Sequence, residues 1–332
     1  MYYENKIEIL SQIFGTPEIE LGETSLNVSG RAFPIVDDVI ILLQPHQFPS
    51  LVVEKIKCTV EDEEVAPSIA EDIQYTFGQE WQKFNQILPQ HQDEFKLYFD
   101  LIDLQALESK RICDLGCGIG RWTYFLKDIA KEIVLVDFSE SIFEARKNLS
   151  KSDNMIFIMA DIMDLPFQDD TFDFIFCLGV LHHIPSPPLE SLRKLSNLAP
   201  EFLVYLYYAL DNRGILYKLI FYFVDILRKL VCNITSSTIR NILTEVFMWL
   251  LYIPTIIVGR ILSILGVSVS KVPFVSFYGH LNLGRIRQDV YDRFFTRIEQ
   301  RVTKKAIHKL SDTFSEVVVS DGLPFWHFLC RK

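Results

Sequence analysis

Residues 111–123 read RICDLGCGIGRWT: a short apolar run, an acid, three glycines at alternating positions, then the start of a helical pattern. Residues 112–115 have the length and apolar continuity of a buried strand. Gly116, Gly118 and Gly120 let the backbone turn tightly and pass within van der Waals distance of a ligand that a Cβ would push away. The turn leads into a helix whose first N–H groups have no helical partner. Turns of this kind serve many ligands and some are purely structural, so the neighbouring segments decide its meaning. Downstream, KEIVLVDFSES (131–141) sets a second apolar strand, 133–136, in front of Asp137, with Ser139 as N-cap of the next helix. Asp137 lies 17 residues after Gly120, which places it at the tip of the second parallel strand, where a carboxylate can accept both ribose hydroxyls of an adenosine. A third strand, 155–160, ends at Asp161, and TFDFIFCLGVLHHIP (171–185) gives a fourth that ends in small and imidazole-bearing residues.

DLGCGIG (114–120), LVDFS (135–139) and ADIMDLPFQDDTFDFIFCLGVLHHI (160–184) together resemble the class I S-adenosylmethionine (SAM) methyltransferases, particularly the ubiquinone/menaquinone-methyltransferase branch. The resemblance covers residues 107–210 densely, and its G-x-G-x-G spacing departs from the G-x-G-x-x-G of dinucleotide binders. It implies that Asp114, Gly116 and Gly118, with Cys117 and Gly120 completing the same loop, hold the methionine end of SAM. It also implies that Asp137 takes the ribose, Phe138 lies along the adenine, Asp161 accepts from the adenine amino group with Ile162 packed beside it, and Leu178 and Gly179 flank the sulfonium. The residue types suit the ligand. SAM carries a sulfonium and an ammonium, so acceptors favour it, whereas a phosphate would need donors and would be repelled by Asp114.

His182 and His183 are candidate catalytic residues, because imidazole is a competent general base near neutral pH. Methyl transfer is an in-line displacement from an activated sulfonium, however, so alignment supplies most of the rate. A structural or cofactor-contacting histidine is the competing reading, and Tyr207 and Tyr208 are fainter candidates.

The whole chain has 332 residues, 49% of them apolar, enough for a sizeable core and about two domains. The opening MYYENKIEIL lacks the basic-then-apolar pattern of a secretion signal, and the six cysteines show no framework spacing. A cytoplasmic protein with reduced thiols is expected. The net charge of −10 hides an asymmetry: residues 1–70 hold 12 acidic and 4 basic side chains, residues 211–310 hold 6 acidic and 15 basic. The acidic total argues against a nucleic-acid partner. The basic C-terminal third suits anionic lipid or a phosphorylated substrate.

Residues 1–66 alternate short β-like runs with turns and read as a small β-rich domain. RAFPIVDDVIILL (31–43) resembles the end of a zinc-ribbon-derived domain that precedes the catalytic domain in some methyltransferases. Paired C-x-x-C ligands are absent and only Cys58 is at hand, so no metal site is expected. Residues 67–106 change to helical spacing, with Phe77, Trp81 and Phe84 able to share a face, and read as a linker or cofactor lid. Residues 107–332 then form the α/β catalytic domain, a doubly wound Rossmann-like seven-stranded sheet. The resemblance implies that its last strand, within 324–330, runs antiparallel beside the strand at 317–320. Residues 211–283 are a helical insertion. Lys218, Asp225 and Lys229 form a polar stripe on one apolar helix, and 246–259 is 14 residues without a charge, interrupted by Pro254 and short of the roughly 20 a membrane span needs. The expectation is a SAM-dependent methyltransferase acting on an O, N or C atom of a small, hydrophobic or lipid-linked acceptor. The membrane would be met peripherally through 214–275, without a spanning segment. A silent SAM-binding or partner-binding module and an RNA methyltransferase are the alternatives.

Overall fold

The apolar runs become strands, and their alternation divides the core into two layers. The structure, a computed structural model, describes residues 1–56, 74, 78, 83–266 and 283–332. The strands are β1 (Ile19–Leu21), β2 (Ser25–Val28), β3 (Arg31–Val36), β4 (Val39–Ile41), β5 (Arg111–Leu115), β6 (Glu132–Asp137), β7 (Met155–Met159), β8 (Phe174–Leu178), β9 (Glu201–Tyr205), β10 (Glu316–Val319) and β11 (His327–Arg331). They form one sheet in the order β1-β2-β3-β4-β7-β6-β5-β8-β9-β11-β10. Successive side chains point to opposite faces, so Cys113, Val134 and Ile156 join one buried cluster while Ile112, Ile133 and Phe157 join the other. A sheet covered on both faces is why these strands read as continuous apolar runs.

The seven strands expected of the catalytic domain are the β7-to-β10 part of that order. β5 to β9 run parallel, and β11 is antiparallel to both β9 and β10. The sheet is larger than seven strands, however. β4 pairs in parallel with β7 (Val39↔Phe157, Ile40↔Ile158, Ile41↔Met159), so the N-terminal meander continues the sheet instead of forming a separate domain over 1–66. The reason is local: all five residues of β7 are buried, and an unpaired outer edge would leave its backbone groups without partners. The same region is pinned by Tyr3, whose hydroxyl donates to the Asp38 carbonyl at 2.6 Å and accepts from the Phe157 N–H at 3.2 Å. Residues 1–208 and 300–332 accordingly make one compact unit.

The second unit is Ala209–Glu299, wider than the expected insertion. It holds helices Ile215–Val231 and Leu283–Phe295 and one continuous helix, Ser237–Ile264. The 14-residue stretch is therefore part of a 28-residue helix, long and apolar enough by length and composition to cross a membrane. Pro254 does not interrupt it. A π-helical turn, Met248–Tyr252, precedes it and Pro254 falls in the first turn of the following α segment, where its missing N–H is least costly. Of the supposed lid, Phe77 and Trp81 lie outside the described residues, as does Cys58. The other five cysteines are buried free thiols.

Candidate functional site

The acids singled out in the sequence converge on the C-terminal edge of the parallel strands. Asp114 is in β5, Asp137 ends β6 and Asp161 follows β7. Between them runs the glycine turn, with Gly116, Gly118 and Gly120 at φ +79°, +53° and +71°, the left-handed region that excludes most side chains. Gly116 is fixed by packing as well: a Cβ there would lie 2.2 Å from Val180 Cγ2.

Four of the five N–H groups of residues 116–120 have partners inside the fold. Gly116 and Cys117 both donate to the Val136 carbonyl, at 2.7 and 3.0 Å. Gly118 donates to Asp137 Oδ2 at 2.8 Å, and Gly120 donates to the Cys117 carbonyl at 2.9 Å. The helix that follows is only Thr123–Leu126. With four of its five donors consumed internally the turn is a poor phosphate cradle, and the carboxylates beside it supply acceptors.

Asp137 ties the turn to its strand. Its Oδ1 accepts from the Ser139 N–H at 2.8 Å and from the Ser139 hydroxyl at 2.7 Å. Ser139 thus serves the carboxylate, and the helix Ser141–Asn148 starts without it as N-cap residue. Oδ1 thus has both lone pairs engaged, and Oδ2, which accepts from Gly118 alone, retains one for a ribose hydroxyl, so the geometry leaves one acceptor and not the two that both hydroxyls would need. Beside it Phe138 is half-buried, and its carbonyl accepts from the Gln74 side-chain amide at 2.7 Å. Asp161 accepts from the Met163 N–H at 2.8 Å, and Ile162 is buried next to it. Leu178 ends β8 buried, and Gly179, at φ +85°, donates to the Tyr205 carbonyl at 3.2 Å.

Asp114 is only 1% exposed. Burial pushes its carboxyl up to about 8; the Thr123 hydroxyl, donating at 2.7 Å, opposes the rise, Asp137 adds to it, and Arg121 opposes it weakly. His182 is fully buried and its pKa lies well below the ordinary value because of burial, with His183 and Arg301 adding repulsion. Its Nδ1 accepts from the Tyr207 N–H at 3.3 Å. A backbone N–H can only donate, so the neutral ring is assigned its proton on Nε2, and in that tautomer Nε2 cannot act as a base. The arrangement favours the structural reading of His182. His183 shares its short turn, Leu181–His183, with ring centroids 4.1 Å apart.

Of an aromatic row along the same edge, sequence reasoning singled out Tyr207 and missed Tyr98, Trp122 and Tyr205. Trp122 meets Tyr98 at 4.9 Å between centroids, Tyr98 meets Tyr205 at 5.1 Å, Tyr205 meets Tyr207 at 6.0 Å, and Tyr207 stacks on His182 at 3.9 Å. The two-residue spacing of Tyr205 and Tyr207 in FLVYLYY was the available signal. Nothing local announces Tyr98. Aromatic faces attract cations, as do the carboxylates, so the donor set fits the positively charged SAM and not an anionic cofactor. Asp114, Asp137 and Asp161, with the turn 116–120, are the residues that would hold it.

Residues 112–199 match the family described as Methyltransferase domain. A tRNA U34 carboxymethyltransferase of Aliarcobacter butzleri (strain RM4018) is 35% identical over 134 residues, 38% of this chain and 39% of that protein. A demethylmenaquinone methyltransferase of Clavibacter sepedonicus is 37% identical over 79 residues, 24% of this chain and 32% of that one. The chain thus spans well under half the length of these curated relatives. The structure of a magnesium protoporphyrin IX methyltransferase from Synechocystis PCC 6803 with bound SAH aligns over 48% of this chain and 77% of that one, at 18% identity and a TM-score of 0.38. On the family match and the strand order, residues 112–199 form a methyltransferase domain of the class I S-adenosylmethionine-dependent kind, with SAM as its cofactor.

Proposed function

We propose that the protein transfers the methyl group of SAM to an O, N or C atom of a small hydrophobic or lipid-linked acceptor. The observation that carries this reading is the acceptor-rich strand edge: three carboxylates around a glycine turn, three of whose N–H groups are consumed by Val136 and Asp137. Bound there, SAM supplies an electrophilic methyl on a sulfonium. The residues of the chain hold and align: Asp137 fixes the turn and offers one acceptor to a ribose, Asp161 offers another at the neighbouring strand end, and the Tyr98–Tyr205–Tyr207 row, its rings meeting edge to face, gives an apolar wall at the strand ends. The apolar wall supports a hydrophobic acceptor. His182, neutral and without a basic Nε2, supports a mechanism in which alignment and not proton abstraction provides most of the rate.

The test is release of S-adenosylhomocysteine from SAM when extract fractions are added to the purified chain, with the product identified by a mass gain of one CH₂. Binding of SAM without turnover on any fraction would favour a silent SAM-binding module. Turnover that depends on the RNA fraction and falls steeply with salt would favour the activity in the name of the carboxymethyltransferase relative. The net charge of −10 weighs against that outcome.

A further inference from the structure

The unit Ala209–Glu299 exposes large apolar side chains and buries several arginines. On helix Ile215–Val231, Leu219, Tyr222, Phe223 and Leu230 are exposed, Leu230 by 72%. On helix Ser237–Ile264, every exposed residue between Asn241 and Arg260 is apolar: Ile242, Val246, Trp249, Leu250, Ile257 and Val258, with Pro254. Three arginines point the other way, although Lys218, Lys229 and Arg260 stay exposed. Arg228, Arg240 and Arg285 are 5%, 2% and 6% exposed. Arg228 pairs with Asp225 at 2.9 Å and donates to the Thr296 carbonyl at 3.0 Å. Arg285 pairs with Asp289, and Arg287 with Glu245. In the expected polar stripe of Lys218, Asp225 and Lys229, Asp225 therefore turns toward the buried Arg228 and also holds the exposed Lys229 at 2.8 Å.

A helical unit in water turns its guanidinium groups outward and buries its isoleucines. In hydrocarbon the preference inverts, because polar groups must find partners inside and the apolar face needs none. Charge agrees: the unit has 11 basic and 6 acidic residues in a chain of net −10, an excess that suits anionic headgroups. Chain path then decides how deep the unit goes. The chain leaves the sheet unit after Tyr208 and re-enters it at Gln300, and Tyr208 and Val302 form a parallel bridge. A single crossing would put these two ends on opposite sides of a membrane. Among the described residues only one helix is long and apolar enough to cross.

We propose that this unit is embedded in one leaflet of a lipid bilayer, with helix Ser237–Ile264 lying within the leaflet and both ends of the unit on the same side. The occupant of the apolar face is acyl chain, and the contact is more than the electrostatic one that a basic surface would make. The inference rests on the helical unit alone, so its failure would leave the methyl-transfer reading standing.

The test uses the full-length chain with vesicles of phosphatidylcholine and phosphatidylglycerol. Flotation should recover the chain with the vesicles, retained through a molar-salt wash. Trp249 fluorescence should be quenched by phosphatidylcholine brominated on its acyl chains, a signal lost in Trp249→Phe. The double variant Leu219→Glu, Leu250→Glu should reduce vesicle recovery at least tenfold with helix content by circular dichroism unchanged. With Asn233→Cys and Ser263→Cys, an impermeant maleimide outside sealed vesicles should label both sites, located by peptide mass. Release by salt alone would reduce the contact to surface charge. A vesicle-free soluble chain, or a dimer in which these faces are covered by a second copy, would overturn the lipid assignment, and protection of Ser263→Cys alone would replace the single leaflet by a span.

Discussion

Asp114 couples ligand binding to protons. Its carboxyl, 1% exposed and bonded to the Thr123 hydroxyl at 2.7 Å, is pushed up to about 8 by burial. At pH 7 it is then ~90% protonated, and ionising it costs about 1.4 kcal/mol. If the ammonium end of SAM enters beside it, as the family resemblance implies, the ionised form becomes the favoured one. Binding at pH 7 should release ~0.9 proton, and affinity should rise about tenfold between pH 7 and 9 as the ionisation cost disappears. Calorimetric titration with S-adenosylhomocysteine in buffers of different ionisation enthalpy counts the protons directly. Asp114→Asn should release none and show a correspondingly flatter pH profile, which separates this group from the ligand's own amine. The ligand-free protein shows the opposite pH trend. A carboxyl whose pKa is raised on folding contributes stability that is fully present below its unfolded value of about 3.9 and is lost as pH rises to about 8. The wild-type melting temperature should therefore fall across that window more steeply than that of Asp114→Asn. Equal proton release and equal pH slopes for the two proteins would refute the reasoning.

Asp137→Ala removes the acceptor of Gly118 N–H, Ser139 N–H and Ser139 O–H together with the ribose contact; at about 1.5–3 kcal/mol per hydrogen bond to a charged group, SAM affinity should drop at least tenfold by calorimetry, with a lowered melting temperature. Unchanged binding with an intact fold would remove Asp137 from the site. Gly116→Ala combines a φ of +79° with a Cβ 2.2 Å from Val180, so it should destabilise by about 1–3 kcal/mol, and Val180→Ala should recover part of that loss in a double-mutant cycle of thermal melts. His182→Gln should lower stability by about 1–3 kcal/mol through its buried Nδ1 contact while removing no ionisation from the pH–rate profile. A hundredfold loss of kcat at unchanged melting temperature would restore the general-base reading. Because Cys58 is the only cysteine in the first 66 residues, elemental analysis should find no stoichiometric zinc, and a chelator should leave the melting temperature in place.

What the sequence made legible depends on how local the cause is. β5 to β8 were readable because a strand buried on both faces is an unbroken apolar run, and Asp137 because the distance from a glycine turn to the next strand tip is set by one helix and its loops. The attachment of β4 to β7 was not readable: three residues, Val39–Ile41, say nothing about which edge they complete, and the deciding fact is that β7 would otherwise carry an open buried edge. The apolar insertion was visible as a composition, yet counting uncharged residues underestimated the helix, since Arg240, Glu245 and Arg260 sit on Ser237–Ile264 without ending it and a π turn carries the chain into Pro254. The site shows the same division at finer grain. Three acids at strand ends and three glycines could be listed from the chain, but where the turn's N–H groups point could not. That orientation bears on the ligand's charge. Glycine turns of nearly the same composition bind pyrophosphate when their amides face outward, whereas here Val136 and Asp137 draw the amides back into the sheet, so the surface left to the ligand consists of carboxylates and aromatic rings and selects a cation.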